Sequence, residues 1–175
     1  MNGLVHIYTG NGKGKTTAAV GLGVRACGRG MKVLMVQFLK GRETGEMKAL
    51  QRLSPDFELY RQKETAKFTW NMTPQELEEM GKNISGLFAL AVKEAMEGKR
   101  DMLILDEIMA SVTSGLIPLE EVLDFVRKKP SGLELVMTGR DAPPELAQLA
   151  DYISEIKPVK HPLEFGIAAR EGIEF

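Results

Sequence analysis

The sequence predicts a three-layer α/β domain, in which a mainly parallel sheet of five or six strands lies between two layers of helices. Short apolar runs alternate along the chain with longer amphipathic stretches, as strands alternate with helices in such folds. One apolar run leads into a glycine-rich loop and then a helix, and another ends in two carboxylates. We expect residues 1–175 to form one domain, because no repeat or linker divides them. Strand order and the direction of the last strand stay open.

The glycine-rich loop follows the apolar run 4–8 and is predicted to be a phosphate-binding loop (P-loop). Its residues are Thr9, Gly10, Asn11, Gly12, Lys13, Gly14, Lys15, Thr16 and Thr17. Glycines let backbone N–H groups turn toward phosphate oxygens, and the following helix start adds its positive dipole end. Lys15 is predicted to reach the outer phosphates, and Thr16 to bind Mg²⁺. The loop departs from the general motif, since Thr9 stands at the first glycine position; a simple glycine-rich turn is the alternative.

Composition and charge exclude several kinds of partner. Hydrophobic residues make up 43% and charged residues 27%, as in ordinary globular proteins. The net charge of −1 disfavours a nucleic-acid or anionic-membrane surface, because such partners require many uncompensated Lys and Arg. The single cysteine, Cys27, fits a reducing compartment. With no signal-peptide pattern and no membrane-spanning apolar run, the sequence predicts a cytoplasmic protein.

The elements of the first half follow the phosphate loop in order. The first helix is predicted from Lys15 to about Arg29, where glycines end it. The apolar run 33–38 predicts a strand buried on both faces, and the polar loop 39–46 after it should face the same side as the phosphate loop. A weakly helical stretch and a short strand complete this half, at 47–53 and 57–60.

The second half opens on a strong helix start, with Thr73 as the cap, Pro74 in the first helical position and Glu76 in the third. This helix is predicted to end at Gly98 and to bury one apolar stripe: Leu77, Met80, Ile84, Leu87, Ala91 and Ala95. Later elements are a helix from 118 that closes at 128–130, a strand over 133–138, a short helix over 143–149 and a strand over 152–156. The tail from 157 is predicted to be irregular.

An apolar strand over 101–105 ends in Asp106 and Glu107. An acidic residue at this place in phosphate-loop proteins holds Mg²⁺ opposite the loop threonine, and a second carboxylate can share the metal or orient water. Arg140 follows the strand 133–138, where it either reaches phosphate oxygens or forms a surface ion pair with Asp141. His6 and His161 have no metal-ligating neighbours in the sequence, so no zinc or iron site is predicted.

Phe68 and Trp70 stand two residues apart in a polar connector. In an extended segment, both side chains point the same way. They either cap the core from outside or form an apolar wall for a flat ligand.

Together these segments resemble the phosphate-loop type of ATP:corrinoid adenosyltransferase, also called cob(I)alamin adenosyltransferase, over nearly the whole chain. The strings that carry the resemblance are 9–17, 36–41, 45–46, 68–70, 105–107, 138–140 and 158–161. The placement of Thr9 and Gly10 is the family's own form of the loop. The resemblance implies transfer of the 5′-deoxyadenosyl group of ATP to the cobalt(I) of a reduced corrinoid, with release of triphosphate.

The resemblance also implies residue roles. ATP lies in the loop 9–17 with Arg140, and Phe68 and Trp70 cover the lower face of the corrinoid. The implied metal ligands for Mg²⁺ are Thr16, Asp106 and Glu107, and the implied catalytic residues are Lys15, Thr16 and Glu107. Cobalt(I) is a strong nucleophile, so no general base is required.

The resemblance further implies a separate flavoprotein reductant and a homodimer. Some relatives carry an N-terminal extension over the active site, whereas this sequence begins close to its first strand; we expect another segment to close the site, or a more open site.

Three other functions share part of this pattern. A nucleotide or small-molecule kinase would also need an arginine-rich lid, and no compact arginine cluster follows the strand 133–138. A RecA-like ATPase would need a basic surface for nucleic acid. A nucleotide sensor without turnover is mildly disfavoured by the Asp106 and Glu107 pair.

Overall fold

The computed structural model describes residues 2–39, 44–61 and 73–174. Its six strands form one sheet in the order β3-β2-β4-β5-β1-β6. They are β1 (Val5–Thr9), β2 (Val33–Gln37), β3 (Phe57–Arg61), β4 (Met102–Asp106), β5 (Glu134–Thr138) and β6 (Tyr152–Glu155). Every neighbouring pair is parallel, including β1 with β6. The predicted parallel sheet is confirmed.

Helices connect the strands. They are α1 (Lys15–Cys27), α2 (Gly45–Gln51), α3 (Pro74–Met96), α4 (Ile108–Thr113), α5 (Leu119–Lys128) and α6 (Pro144–Leu149). The helix α1 ends two residues before the predicted Arg29, because the chain turns at Gly28 and reaches a left-handed conformation at Gly30. The sequence did not predict α4, which begins directly after the strand β4. The tail is irregular apart from a short 3₁₀ turn over Pro162–Phe165.

Two apolar clusters, one on each face of the sheet, confirm the three-layer arrangement. On β2, Val33 and Met35 join the cluster that contains residues of α1 and α2, whereas Leu34 and Val36 join the cluster of α3 to α6. The alternation follows from the strand geometry, in which successive side chains point to opposite faces. Cys27 is half-buried and packs against the first of these clusters.

The predicted start of α3 is confirmed as a capping box. Thr73 Oγ1 accepts from the Glu76 N–H at 3.3 Å, and the Glu76 carboxylate accepts from the Thr73 N–H at 2.8 Å. The buried residues of α3 are Met80, Ile84, Phe88, Ala91 and Ala95. The predicted burial of Leu77 is wrong: this side chain is 36% exposed and lies in the first turn, outside both clusters. Leu87 is partly buried, because Phe88 takes the core position beside it.

Close packing of α1 on the sheet fixes the position of the loop before it. A Cβ atom at Gly23 would lie 2.6 Å from Phe57 Cε1 and 3.0 Å from Ile104 Cδ1, so only glycine fits without displacing these side chains. The carboxyl ends of all six parallel strands lie at one edge of the sheet. Among the described residues, no helix combines the length and the apolar character needed to cross a membrane.

Candidate nucleotide and metal site

The phosphate loop is held in shape by its own lysine. Lys15 Nζ donates to the carbonyl oxygens of Gly10 at 2.7 Å and Gly12 at 3.0 Å, and the residue is only 7% exposed. Gly14 adopts a φ of 117°, which strongly favours glycine. With these two hydrogen bonds, the backbone of the loop curves around the Lys15 ammonium.

A residue that the sequence did not indicate, Ile156, ties the loop to the end of β6. Its N–H donates to Thr9 O at 2.8 Å, and its carbonyl oxygen accepts from the Gly12 N–H at 2.7 Å. Cβ atoms at Gly10 or Gly12 would lie 2.5 Å and 2.8 Å from Ile156 O. The glycines are therefore needed for this close approach, and the Gly12 amide is bound by the protein rather than directed toward a ligand.

The helix α1 begins at Lys15, within the loop sequence 9–17, and no side chain caps its start in the described structure. Its first turn contains Lys15, Thr16 and Thr17 and no acidic residue. A helix start of this kind presents N–H donors and a positive dipole end, which favour an anion. The described geometry thus suits the predicted phosphate contact.

Asp106, at the end of β4, is fully buried and accepts side-chain hydrogen bonds from three of the described residues. Its Oδ1 accepts from the Thr16 hydroxyl at 2.9 Å and from the Thr138 hydroxyl at 2.7 Å. Its Oδ2 accepts from Gln37 Nε2 at 3.3 Å. Because Thr16, Gln37 and Thr138 belong to α1, β2 and β5, the carboxylate joins three elements at the edge of the sheet.

Glu107 follows in a left-handed conformation, with φ 61° and ψ 25°. This conformation is uncommon for residues other than glycine, asparagine and aspartate and costs of order 1–3 kcal/mol. Its N–H donates to Thr138 Oγ1 at 2.9 Å. The bend at Glu107 turns the chain from β4 into α4 and leaves the side chain partly exposed.

The charges of the site converge on Lys15. The pKa of its ammonium is lowered, and burial is the largest cause. The Arg140 guanidinium lowers this pKa further, whereas the carboxylates of Glu107 and Asp106 raise it. Arg140 therefore lies near enough to act on Lys15, although its own side chain is exposed. The preceding residue, Gly139, has a φ of 148°, and a Cβ there would lie 2.5 Å from Met109 Cβ.

Lys13 points away from this group and toward the C-terminal tail. Its ammonium lies 2.8 Å from Glu174 Oε1. Hydrogen bonds from Arg170, and then from Lys13, lower the pKa of the Glu174 carboxyl to about 2. The tail thus contacts the phosphate loop through a pair of charges.

The structure brings together most of the predicted site residues. Lys15, Thr16, Asp106, Glu107 and Arg140 are neighbours, and Asn11 and Thr17 are exposed on the loop. Phe68 and Trp70 lie outside the described residues. The sequence missed Gln37, Thr138 and Ile156. The signal available for the first two was a polar residue at the end of an apolar strand.

The oxygen atoms of this site suit a hard cation. Within the described parts of the chain, no three His, Cys, Asp or Glu side chains lie close enough to hold a metal by themselves. Mg²⁺ requires no such cage, because it is usually held by one or two protein oxygens together with phosphates and waters. The Thr16 and Asp106 oxygens offer such a pair.

The chain matches one known protein family over its whole length. A model of the family described as ATP:corrinoid adenosyltransferase BtuR/CobO/CobP matches residues 1–175. A corrinoid adenosyltransferase of Escherichia coli K12 is 35% identical over 174 residues, covering 99% of this chain and 86% of the relative. Corrinoid adenosyltransferase CobA of Salmonella typhimurium LT2 is also 35% identical, over 181 residues with the same coverage. The corresponding enzyme of Pseudomonas aeruginosa is 33% identical, covering 99% of this chain and 84% of the relative.

Proposed function

This chain belongs to the ATP:corrinoid adenosyltransferase family, and we propose from that premise that its adenosyl transfer takes place at the carboxyl edge of the sheet. The enzyme transfers the 5′-deoxyadenosyl group of ATP to the cobalt(I) of a reduced corrinoid and releases triphosphate. The observation that carries the location is the meeting of Thr16 and Asp106 at the end of the phosphate loop.

In this proposal the phosphate chain of ATP lies on the loop 9–17. The ammonium of Lys15, the first amides of α1 and the guanidinium of Arg140 stabilise the negative charge of the triphosphate as it leaves. Lys15 is already fixed by the carbonyl oxygens of Gly10 and Gly12, so little reorganisation is needed at its position.

The residues present fit Mg²⁺. Thr16 Oγ1 and Asp106 Oδ1 lie 2.9 Å apart, and adjacent oxygens around Mg²⁺ at ~2.05 Å have about the same separation in an octahedron. Thr16 and Asp106 would hold the ion, with Glu107 sharing it or orienting its water. When bound, Mg²⁺ neutralises charge that develops on the leaving phosphates.

The reaction requires orientation more than proton transfer. A cobalt–carbon bond forms while the bond between C5′ and the phosphate oxygen breaks, and cobalt(I) supplies the electron pair. The chain therefore needs no general base, and its tasks are to align C5′ with cobalt and to exclude water. We assign contact with the lower face of the corrinoid to Phe68 and Trp70, whose aromatic side chains suit a flat apolar surface.

We propose that the 175 residues act as one domain in a cytoplasmic homodimer, and that a separate flavoprotein supplies the reduced corrinoid. The single Cys27 supports a reducing compartment. The net charge of −1 gives no support to a nucleic-acid partner.

An anaerobic assay tests the transfer. Chemically reduced cobalamin is mixed with ATP, Mg²⁺ and the protein, and the cobalt(I) absorption band and the polyphosphate product are followed. The proposal predicts loss of the band with one triphosphate per cobalt, abolished by Lys15→Ala. Lys82→Ala is the matched control, because Lys82 is exposed on α3 and pairs only with Glu78 among the described contacts. A persisting band with formation of ADP would instead indicate a phosphate-loop kinase or ATPase.

A further inference from the structure

Gln37 is a fully buried glutamine at the last position of β2. In the sheet register it stands beside Asp106, the last residue of β4. Glutamine is mostly found at protein surfaces, and buried polar atoms are nearly always hydrogen-bonded. Its burial at the ligand edge of the sheet therefore requires an explanation.

The two ends of the Gln37 amide have different environments. Nε2 donates to Asp106 Oδ2 at 3.3 Å. Oε1 is buried and has no hydrogen-bond partner in the part of the chain that the structure describes. The orientation of the amide follows from the neighbour, because only the NH₂ end can donate to a carboxylate. A buried acceptor left without a donor is destabilising, so packing alone does not account for a glutamine at this position.

The unpaired oxygen lies close to the proposed metal site. From the bond lengths of an amide, Oε1 is at most about 2.6 Å from Nε2, which places it within roughly 6 Å of Asp106 Oδ2. When a carboxylate oxygen binds a hydrated cation, the distance from that oxygen to an acceptor of the cation's bound water is of this order. Bound Mg²⁺ usually keeps several waters, which need acceptors.

We propose that Gln37 is a positioning residue for the metal site, in which its NH₂ group holds Asp106 Oδ2 and its Oε1 accepts a hydrogen bond from a water bound to Mg²⁺. This inference rests on the proposed function, since it requires Mg²⁺ and ATP at the phosphate loop. With Thr16 and Thr138 on Oδ1 and Gln37 on Oδ2, both carboxylate oxygens are oriented before the metal arrives. Such outer contacts typically change metal affinity 10- to 100-fold when they are removed.

The test measures metal binding directly. Mn²⁺, which reports through its paramagnetic resonance signal, is titrated into the protein saturated with ATP, without corrinoid. Gln37→Met has similar length and no amide, and it should weaken Mn²⁺ binding about 10-fold or more. ATP affinity in excess EDTA should stay within about twofold. The melting temperature should change little, because loss of the Gln37 donor to Asp106 Oδ2 is offset by removal of the unpaired buried acceptor. A purely structural role would lower the melting temperature and leave Mn²⁺ affinity unchanged.

A second Gln37 variant and a control variant complete the test. Gln37→Asn retains the amide but draws it back by one methylene, and it should also weaken Mn²⁺ binding. Ser111→Ala is the control, because Ser111 Oγ is likewise buried without a hydrogen-bond partner in the described structure and so donates no hydrogen bond to Asp106. It should bind Mn²⁺ as the wild type does. Unchanged Mn²⁺ affinity in both Gln37 variants would overturn the inference.

Asp106→Asn in the same titration separates the two proposals. If it weakens Mn²⁺ binding whereas the Gln37 variants do not, the role of Gln37 is refuted and the proposed site stands. If Asp106→Asn and Lys15→Ala both bind Mn²⁺ and ATP normally, the proposed site itself is wrong.

Discussion

Thr138 Oγ1 lies 2.7 Å from Asp106 Oδ1, so a hydroxyl at the end of β5 fixes a carboxylate at the end of β4. The same hydroxyl oxygen accepts from the Glu107 N–H at 2.9 Å. One buried side chain thus orients the acidic residue and also supports the bend that follows it.

Thr138→Val should destabilise the protein and impair the transfer. Valine has the shape of threonine but leaves the part-buried Glu107 N–H without its acceptor and the buried Asp106 Oδ1 without one of its donors, at an expected cost of about 1–3 kcal/mol in the free energy of unfolding. Urea denaturation measures the loss. Thr138→Ser, which keeps the hydroxyl, should retain the activity, and equal stability of the valine variant and the wild type would contradict the prediction.

Two glycines of α1 should respond to alanine in opposite ways. Gly21 has open space around it, so Gly21→Ala should stabilise by about 0.5–1 kcal/mol through helix propensity. Gly23→Ala would place a Cβ against Phe57 and Ile104, and it should destabilise by about 1–3 kcal/mol. Thermal melts of both variants measure the two changes in stability. Similar shifts for the two would show that α1 does not pack on the sheet as described.

Glu107→Asn should lower the transfer rate and leave the stability of the protein nearly unchanged. Asparagine tolerates the left-handed conformation better than glutamate, which offsets the loss of a carboxylate at the start of α4. We therefore expect stability within about 0.5 kcal/mol of the wild type, while the transfer rate falls because the proposed metal or water contact is gone. Parallel denaturation and cobalt(I) assays test this. A stable variant with full activity would remove Glu107 from the catalytic group.

ATP binding should weaken at alkaline pH through Lys15. Burial lowers the pKa of this ammonium from its ordinary value of 10.5, and in the proposed site it is the charged form that binds the phosphates. Affinity should therefore be complete at neutral pH and fall as pH rises, beginning below the range in which exposed lysines titrate. Calorimetric titration of ATP in excess EDTA measures the effect. Lys15→Arg stays charged and should show weaker binding without the alkaline decline, and a flat wild-type profile to pH about 10.5 would refute the assignment.

The sequence predicted those features that depend on local chemistry. The loop with Lys15 and Thr16, and the Thr73 capping box, are patterns in which neighbouring residues determine the conformation. The position of Asp106 was also predicted, because a parallel sheet brings the ends of its strands to one edge.

Features that depend on contacts between distant segments were not predicted. Parallel strands are apolar on both faces, so side-chain periodicity does not reveal which strands are neighbours, and the order of the sheet stayed open. Gln37 and Thr138 were missed because a polar residue at the end of an apolar strand is a weak signal, which does not identify the carboxylate beside it. The helix α4 was missed because its start depends on the left-handed conformation of Glu107, which is unusual for glutamate.

The position of β1 has a consequence for synthesis on the ribosome. Among the described residues its strand neighbours are β5 and β6, and the Gly12 amide of the phosphate loop donates to the carbonyl of Ile156. The loop is therefore translated before β5, β6 and Ile156, which support it. Until residue 156 has been translated, the nascent chain lacks this support for the loop, so the proposed nucleotide site matures only after β6 has been made.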